Sequence, residues 1–289
     1  MLRQNTGSVV CPNCGRLVGV RDAKCYQCGR PYPGLFGFAP WLNKLARDFG
    51  FAEVVIGGSV LMYVVSLALN PSAALEMRGL LSIFSPGGAE IFLLGSSGAA
   101  PIFGYGRWWT VLSASWLHGG LIHIAFNLYW VRNLAPQLAE VLGTGRTILI
   151  YTAASITGFL GTSLMALLPM PSFLRGAMFT LGASAAVCGL MGGILAYSRA
   201  TGNRAAQSSV MQFGLFILIF GLVVPGIDNW AHIFGFLGGY GAAKLLRPLH
   251  DESPLHMLAG AVCLLLFAGA IVLSVVHGLP IYQGMKAGG

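Results

Sequence analysis

The sequence predicts an all-α polytopic membrane protein preceded by a small cysteine-rich module. Three observations lead there. Hydrophobic residues make up 55% of the 289 positions, charged residues only 9%, and mean hydropathy is +0.72. That balance lies outside ordinary soluble domains. Apolar stretches recur near 51–70, 121–138, 147–168, 180–198, 207–225, 228–246 and 257–277. Each is long enough to cross a ~30 Å hydrocarbon core, which takes roughly 20 helical residues. The stretch from Met1 to Gly50 is instead polar, basic and rich in cysteine.

The cysteine module comes first. Cys11-Pro12-Asn13-Cys14-Gly15 and Cys25-Tyr26-Gln27-Cys28-Gly29 are two CxxC knuckles separated by ten residues. Four thiolates at this spacing suit tetrahedral zinc, so residues 1–34 read as a zinc ribbon with a structural metal. Residues 35–50 form a link to the membrane. There Trp41, Leu42, Leu45 and Phe49 share a helical face opposite Lys44 and Arg47, the pattern of a short interfacial helix. No apolar core follows the first basic residue, so the opening residues do not read as a secretory signal. Cys188 and Cys263 lie in spans and read as packing residues.

The spans must be helices. Their apolar runs are continuous, without the alternation of a barrel strand, and backbone polar groups in lipid must be satisfied within the segment. Basic residues set the orientation. Thirteen of the 17 lysines and arginines fall before the first span or in alternate loops, leaving Arg78, Arg107, Arg175 and Lys286 on the other side. The N-terminus and ribbon are therefore expected in the cytoplasm and the C-terminus outside, in a multi-pass cell (inner) membrane protein. Cytoplasm is reducing, which disfavours a disulfide reading of the knuckles. The +8 net charge suits anionic lipid headgroups of the bilayer. No base-reading helix is evident, so nucleic acid is not the expected partner.

Polar residues inside spans are costly unless they line a cavity or perform chemistry. On this topology His118, His123 and Asn127 start the second span, Ser184 the fourth and His232 the sixth, all at similar depth. His123 and Asn127 are i and i+4 and share a face. Gly235 and Gly239 are likewise i and i+4, a small-residue face that permits close helix approach, and Gly189, Gly192 and Gly193 give the fourth span a matching surface. Packing of the two would bring Ser184 to His232, the minimal nucleophile–base pair for acyl transfer. Taken singly, a span serine bonds its own backbone and a histidine packs; five polar groups converging on three alternate helices favour a site. No HExxH is present, and His118 and His123, five apart, are poorly spaced for one metal. Asp228, one turn before His232, invites a triad, but its place before the helix puts it in water at the outer rim.

At these residues the chain resembles the rhomboid intramembrane serine proteases. His118-Gly-Gly-Leu-Ile-His123-Ile-Ala-Phe-Asn127 is similar to the family's HxxxxHxxxN, Gly182-Ala-Ser184 to its GxS, and Ala231-His232-Ile-Phe-Gly235-Phe-Leu-Gly-Gly239 to its AHxxGxxxG. The resemblance covers residues 51–246 and implies a six-helix catalytic core, with 247–289 adding a seventh helix and an external tail. It implies Ser184 as nucleophile and His232 as base and then acid. His123 and Asn127 would hold the oxyanion with the Ser184 amide. His118 would be structural, no cofactor would serve catalysis, and substrates would be single-span membrane proteins cut near the outer leaflet. Residues 71–106 would be a long external loop lying partly in the outer leaflet. The sequence departs from the family pattern in three places. The arginine of Trp-Arg is displaced to Arg107 before Trp108-Trp109, Ala185 follows the nucleophile, and Cys188 stands where many members carry tyrosine. The alternative is a catalytically silent relative that binds membrane helices and passes them to a partner. The ribbon would have a cytoplasmic protein partner of its own.

Overall fold

The structure is a computed structural model and describes residues 4–11, 13–34, 50–76, 83–171 and 174–287. It divides into two compact units, Met1–Gly50 and Phe51–Gly289. The expected interfacial helix around Trp41–Phe49 lies outside the described residues.

In the first unit, strands β1 (Ser8–Val10) and β2 (Leu17–Gly19) pair antiparallel, with Val9 opposite Val18. Val9, Val18 and Val20 pack with Cys11 and Cys25 into a core of a few side chains. Each knuckle closes the same way. Gly15 N–H donates to the Cys11 carbonyl at 3.0 Å and Gly29 N–H to the Cys25 carbonyl at 2.9 Å, with φ of +70° and +71°. That left-handed backbone is why a glycine follows each CxxC.

The second unit is built on seven long helices: α1 (Phe51–Ala68), α2 (Leu121–Leu142), α3 (Thr144–Met165), α4 (Ser184–Ala200), α5 (Arg204–Val223), α6 (Asn229–Leu245) and α7 (Pro254–Ala287). All seven expected spans are helical. Among the described residues, four helices are long and apolar enough to cross a membrane: α1, α3, α5 and α7. A fifth span counts if Thr110–Trp116 and α2, bent by 97°, are taken together. The helices α4 and α6 have 17 residues each, and α4 begins four residues later than expected because its N-terminal turn gives way to loop.

Local chemistry sets the helix starts. Asn203 caps α5 by accepting the Ala206 amide at 3.1 Å. Asp228 caps α6 through the Ala231 amide at 3.0 Å. For α3 the cap comes from far away: Glu252 accepts the Arg146 amide at 2.8 Å. The Arg146 side chain, itself buried, binds the carbonyls of His250 and Asp251 and so fixes the α6–α7 connection. Pro136 sits inside α2 without ending it, as bundle packing permits in membranes.

Helix α4 is central. Ala185 through Gly193 are all buried. A Cβ on Gly239 of α6 would fall 2.5 Å or less from the Gly189 backbone of α4, so the two helices touch through main chain. Lipid gives no hydrophobic drive between helices, and close packing of this kind supplies the association energy.

The end of α7 differs from expectation. The helix continues past 277 to Ala287, through Pro280, and its extra turns have partners in the first loop. Glu90, 1% exposed, pairs with Lys286 at 2.8 Å and accepts from Tyr282 Oη at 3.2 Å. Deeper in, the buried Arg107 donates to the carbonyls of Phe92 and Ser274, both at 2.8 Å, and lies over the Phe92 ring at 4.3 Å. Trp109 Nε1 donates to Ser274 Oγ at 3.1 Å. The loop before α2 is thus a folded element, with short helices at Gly88–Leu94 and Thr110–Ser113, and it is pinned to α7.

Candidate active site

Ser184 is the first residue of α4, and the chain reaches it along a held path. Thr180 exchanges backbone hydrogen bonds with Ser97 of the first loop at 2.8 and 2.9 Å. Gly182, at φ +124°, donates to the Ala114 carbonyl at 2.9 Å. This extended lead-in is why α4 starts at Ser184 rather than near 180. It also leaves the Ser184 amide in the first helical turn, where N–H groups lack intrahelical acceptors and the helix dipole is positive.

His232 lies in the first turn of α6, 7% exposed, and its Nε2 is 2.9 Å from Ser184 Oγ. The close α4–α6 packing makes this reach possible. A Cβ on Gly235 would collide with the Ala185 carbonyl oxygen, so only glycine allows α6 to lie this near the residue after Ser184. An imidazole nitrogen at hydrogen-bond distance from a hydroxyl can remove its proton.

His123 faces the same place from α2. Its Nδ1 accepts the Gly119 amide at 3.2 Å. In the neutral ring the proton therefore sits on Nε2. That nitrogen points at Gly182: a Cβ there would lie 2.7 Å from His123 Nε2 and 3.7 Å from Ser184 Oγ. Beside the serine, then, stands an N–H donor of fixed tautomer. His118 is buried, 5.3 Å from the His123 ring between centroids, and its Nε2 accepts the Ala183 amide at 3.5 Å. Asn127 is buried one turn along α2, where its side-chain amide donates to the His123 carbonyl at 2.9 Å. The structure thus brings Ser184, His232 and His123 together, while Asn127 bonds its own helix. Cys188 is buried one turn along α4 from Ser184.

Asp228 departs from expectation. Its carboxylate is not held in water at the rim: Oδ1 accepts Thr162 Oγ1 of α3 at 2.8 Å and the Ala231 amide at 3.0 Å, and Oδ2 is buried. The Asp228 carbonyl accepts the His232 amide at 3.2 Å, but the carboxylate makes no direct bond to the imidazole. Packing of α3 against α6 draws this cap inward. Glu90, Arg107 and Thr162 were not singled out from the sequence as supports of the site. A carboxylate within Gly88–Leu94, an apolar segment, was the one available signal.

In the ribbon, the Sγ atoms of Cys11, Cys14, Cys25 and Cys28 lie within 4.8 Å of one another. Cys11 and Cys28 are 3.7 Å apart, Cys14 and Cys25 3.6 Å. Thiolates at ~2.3 Å around a tetrahedral zinc stand about 3.8 Å apart, so the donor set fits a closed four-sulfur centre. The Asn13 side chain and the Arg30 amide hold the Cys28 thiol down to about 6, and the Asn13 amide lowers Cys11. Both effects favour the thiolate at those two positions, whereas at Cys14 the Arg16 amide is outweighed by burial and the facing thiols, which push the thiol up to about 12.

Residues 105–249 match a family model described as the Rhomboid domain. Rhomboid protease GluP of Bacillus subtilis (strain 168) is 34% identical over 146 residues, covering 49% of this chain and 26% of GluP. RHOMBOID-like protein 4 of Arabidopsis thaliana is 36% identical over 146 residues, covering 48% of this chain and 35% of its own length. The putative rhomboid protease YdcA of Bacillus subtilis is 28% identical over 138 residues, 47% of this chain and 65% of YdcA. The chain therefore spans well under half the length of the first two relatives.

Proposed function

Because the chain belongs to the rhomboid family, we propose that it is an intramembrane serine endopeptidase acting through a Ser184–His232 dyad. One observation carries the reading: Ser184 Oγ, half-buried, and His232 Nε2, buried, lie 2.9 Å apart at the starts of their helices. Ser184 Oγ attacks the scissile carbonyl while His232 Nε2 takes its proton. The same nitrogen then returns the proton to the leaving amine, and water hydrolyses the acyl-enzyme by the reverse relay. The Ser184 amide and His123 Nε2–H are positioned to receive the developing oxyanion, each such donor being worth ~3 kcal/mol of barrier. Asn127 supports His123 from below. Substrates are single-span membrane proteins, cut near the outer leaflet where a helix can unwind.

Residues 1–34 form a ribbon in which Cys11, Cys14, Cys25 and Cys28 hold one zinc ion as a structural centre. With four thiolates the ion has no open position for a reacting water. The distribution of basic residues favours a cell-membrane protein with the ribbon in the cytoplasm, available to a cytoplasmic protein partner, and the dyad toward the outer face.

The test is co-expression with a panel of tagged single-span substrates. Cleavage by the wild-type chain and none by Ser184→Ala is expected; cleavage that survives Ser184→Ala refutes the reading.

A further inference from the structure

Among the buried polar atoms with no hydrogen-bonding partner are His232 Nδ1 and Asp228 Oδ2. They belong to residues one helical turn apart. Side chains on a helix lean toward its N-terminus, so a residue at the fifth position reaches back over the cap. His232 Nε2 is turned to Ser184 on α4, which leaves Nδ1 on the side of its own helix. Asp228 is fixed from the other end, because Oδ1 is taken by Thr162 of α3 and the Ala231 amide.

Buried polar groups are rarely left unpaired. A buried water needs two to four polar partners, and Nδ1 and Oδ2 are two. The charges around His232 can be enumerated. Helices α3, α4 and α6 carry no acidic residue, and Glu140 of α2 lies at the far end of its helix. His123 is the other imidazole, with its Nδ1 occupied by Gly119. Cys188 follows Ser184 on α4. Asp228 is therefore the one carboxylate that these four helices bring to the dyad's end.

We propose that Asp228 is a positioning residue for catalysis, holding His232 through one water between Oδ2 and Nδ1 and supplying the counter-charge to the imidazolium formed during acyl transfer. This rests on the dyad reading. As the Oγ–carbonyl bond forms, the Oγ proton moves to Nε2. Nδ1 keeps its own proton throughout and donates it to the water, and the water donates to Oδ2. Asp228 takes no proton in this relay. The bond also fixes the resting tautomer: Nδ1 bears hydrogen, so Nε2 is free to accept.

The test uses the full chain in detergent. Asp228→Asn keeps an oxygen for the Ala231 amide and for Thr162 but removes the charge. Expected are a fall of about tenfold in kcat and a shift of the acid limb of kcat/KM to lower pH by about one unit, because an imidazolium without its counter-charge releases its proton more readily. Fluorophosphonate labelling of Ser184 should slow in parallel. An Asp228→Asn enzyme with wild-type rate and pH profile overturns the proposal and leaves Asp228 as a helix cap. Should that variant not fold, ¹⁵N-histidine NMR of the Ser184→Ala chain decides: a downfield, hydrogen-bonded Nδ1–H at His232 is expected, and the shift of a non-bonded N–H overturns it. Failure of the dyad reading looks different, since activity would then persist in Ser184→Ala whatever Asp228 does.

Discussion

The Arg107 guanidinium donates to the Ser274 carbonyl at 2.8 Å, joining two residues 167 positions apart. It bonds carbonyls on both sides of the gap between the first loop and α7, so dipoles hold a buried cation through both terminal nitrogens. Replacing it strands those carbonyls, and each buried unsatisfied group costs about 1–3 kcal/mol. Arg107→Met should lower the thermal midpoint in detergent by several degrees, with activity falling in proportion to the folded fraction. A midpoint equal to wild type would show that the loop is held elsewhere.

The nearby Glu90–Lys286 pair gives a pH prediction. Burial opposes ionisation of Glu90, but the Lys286 ammonium outweighs it and holds the carboxyl below its ordinary value. A depressed folded value stabilises above the unfolded carboxylate range and is lost as pH falls through the folded one. The contribution is therefore full at neutral pH and fades only below about pH 4. Lys286→Met should remove it at pH 7, and the difference in thermal midpoint between the variant and wild type should shrink in acid. A difference independent of pH would count against the pair.

The oxyanion donors should not be equal. His123 presents Nε2–H beside Ser184, whereas the Asn127 amide is bound to the His123 carbonyl. His123→Ala should cut kcat by ~10²-fold or more. Asn127→Ala should cost less, through the loosened His123 turn. Steady-state cleavage of a model substrate reads both, and a larger loss in Asn127→Ala would place that amide on the oxyanion instead.

Helix packing can be probed one methyl at a time. At Gly239 an added Cβ meets the Gly189 backbone, while at Gly241 it meets nothing within 4 Å. Gly239→Ala should destabilise by about 1–3 kcal/mol and slow acylation by moving His232 from Ser184. Gly241→Ala should be neutral or gain up to about 1 kcal/mol from helix propensity. Equal effects in unfolding and labelling assays would remove close approach as the reason for Gly239.

The ribbon prediction separates metal from chemistry. Purified protein should hold about one zinc per chain by metal analysis, lost in Cys11→Ser or Cys25→Ser. A chain beginning near Pro40 should still cut a model substrate in detergent, because the dyad lies within the second unit, Phe51–Gly289. Loss of cleavage with the helical unit still folded would mean that the two units are coupled.

Much of this molecule was legible in its residues, and the remainder divides by sequence distance. Helices announced themselves by apolar length, and the small faces of Gly189 and Gly239 announced which two would touch. The knuckles carried their own spacing. Helix α4 starts four residues later than its apolar pattern implies, because the backbone bonds of Thr180 and Gly182 go to Ser97 and Ala114. The end of α7 was misjudged by about ten, because Tyr282 and Lys286 are helical for the sake of Glu90, nearly two hundred positions earlier. Asp228 looked like a rim residue until Thr162 was seen to hold it inward. Local pattern reveals an element; it does not reveal a partner in another one.

The pinning of the first loop by α7 also orders events in time. A ribosome makes Ser184 and His232 before it makes Ser274, Tyr282 and Lys286. Until those last turns are made, Arg107 and Glu90 lack their partners on α7, and the loop that steadies the approach to Ser184 through Ser97 and Ala114 is unsecured on that side. A newly inserted chain thus carries Ser184 and His232 through the last fifth of its synthesis with the surrounding frame unfinished, and the final helix acts as the signature that completes it.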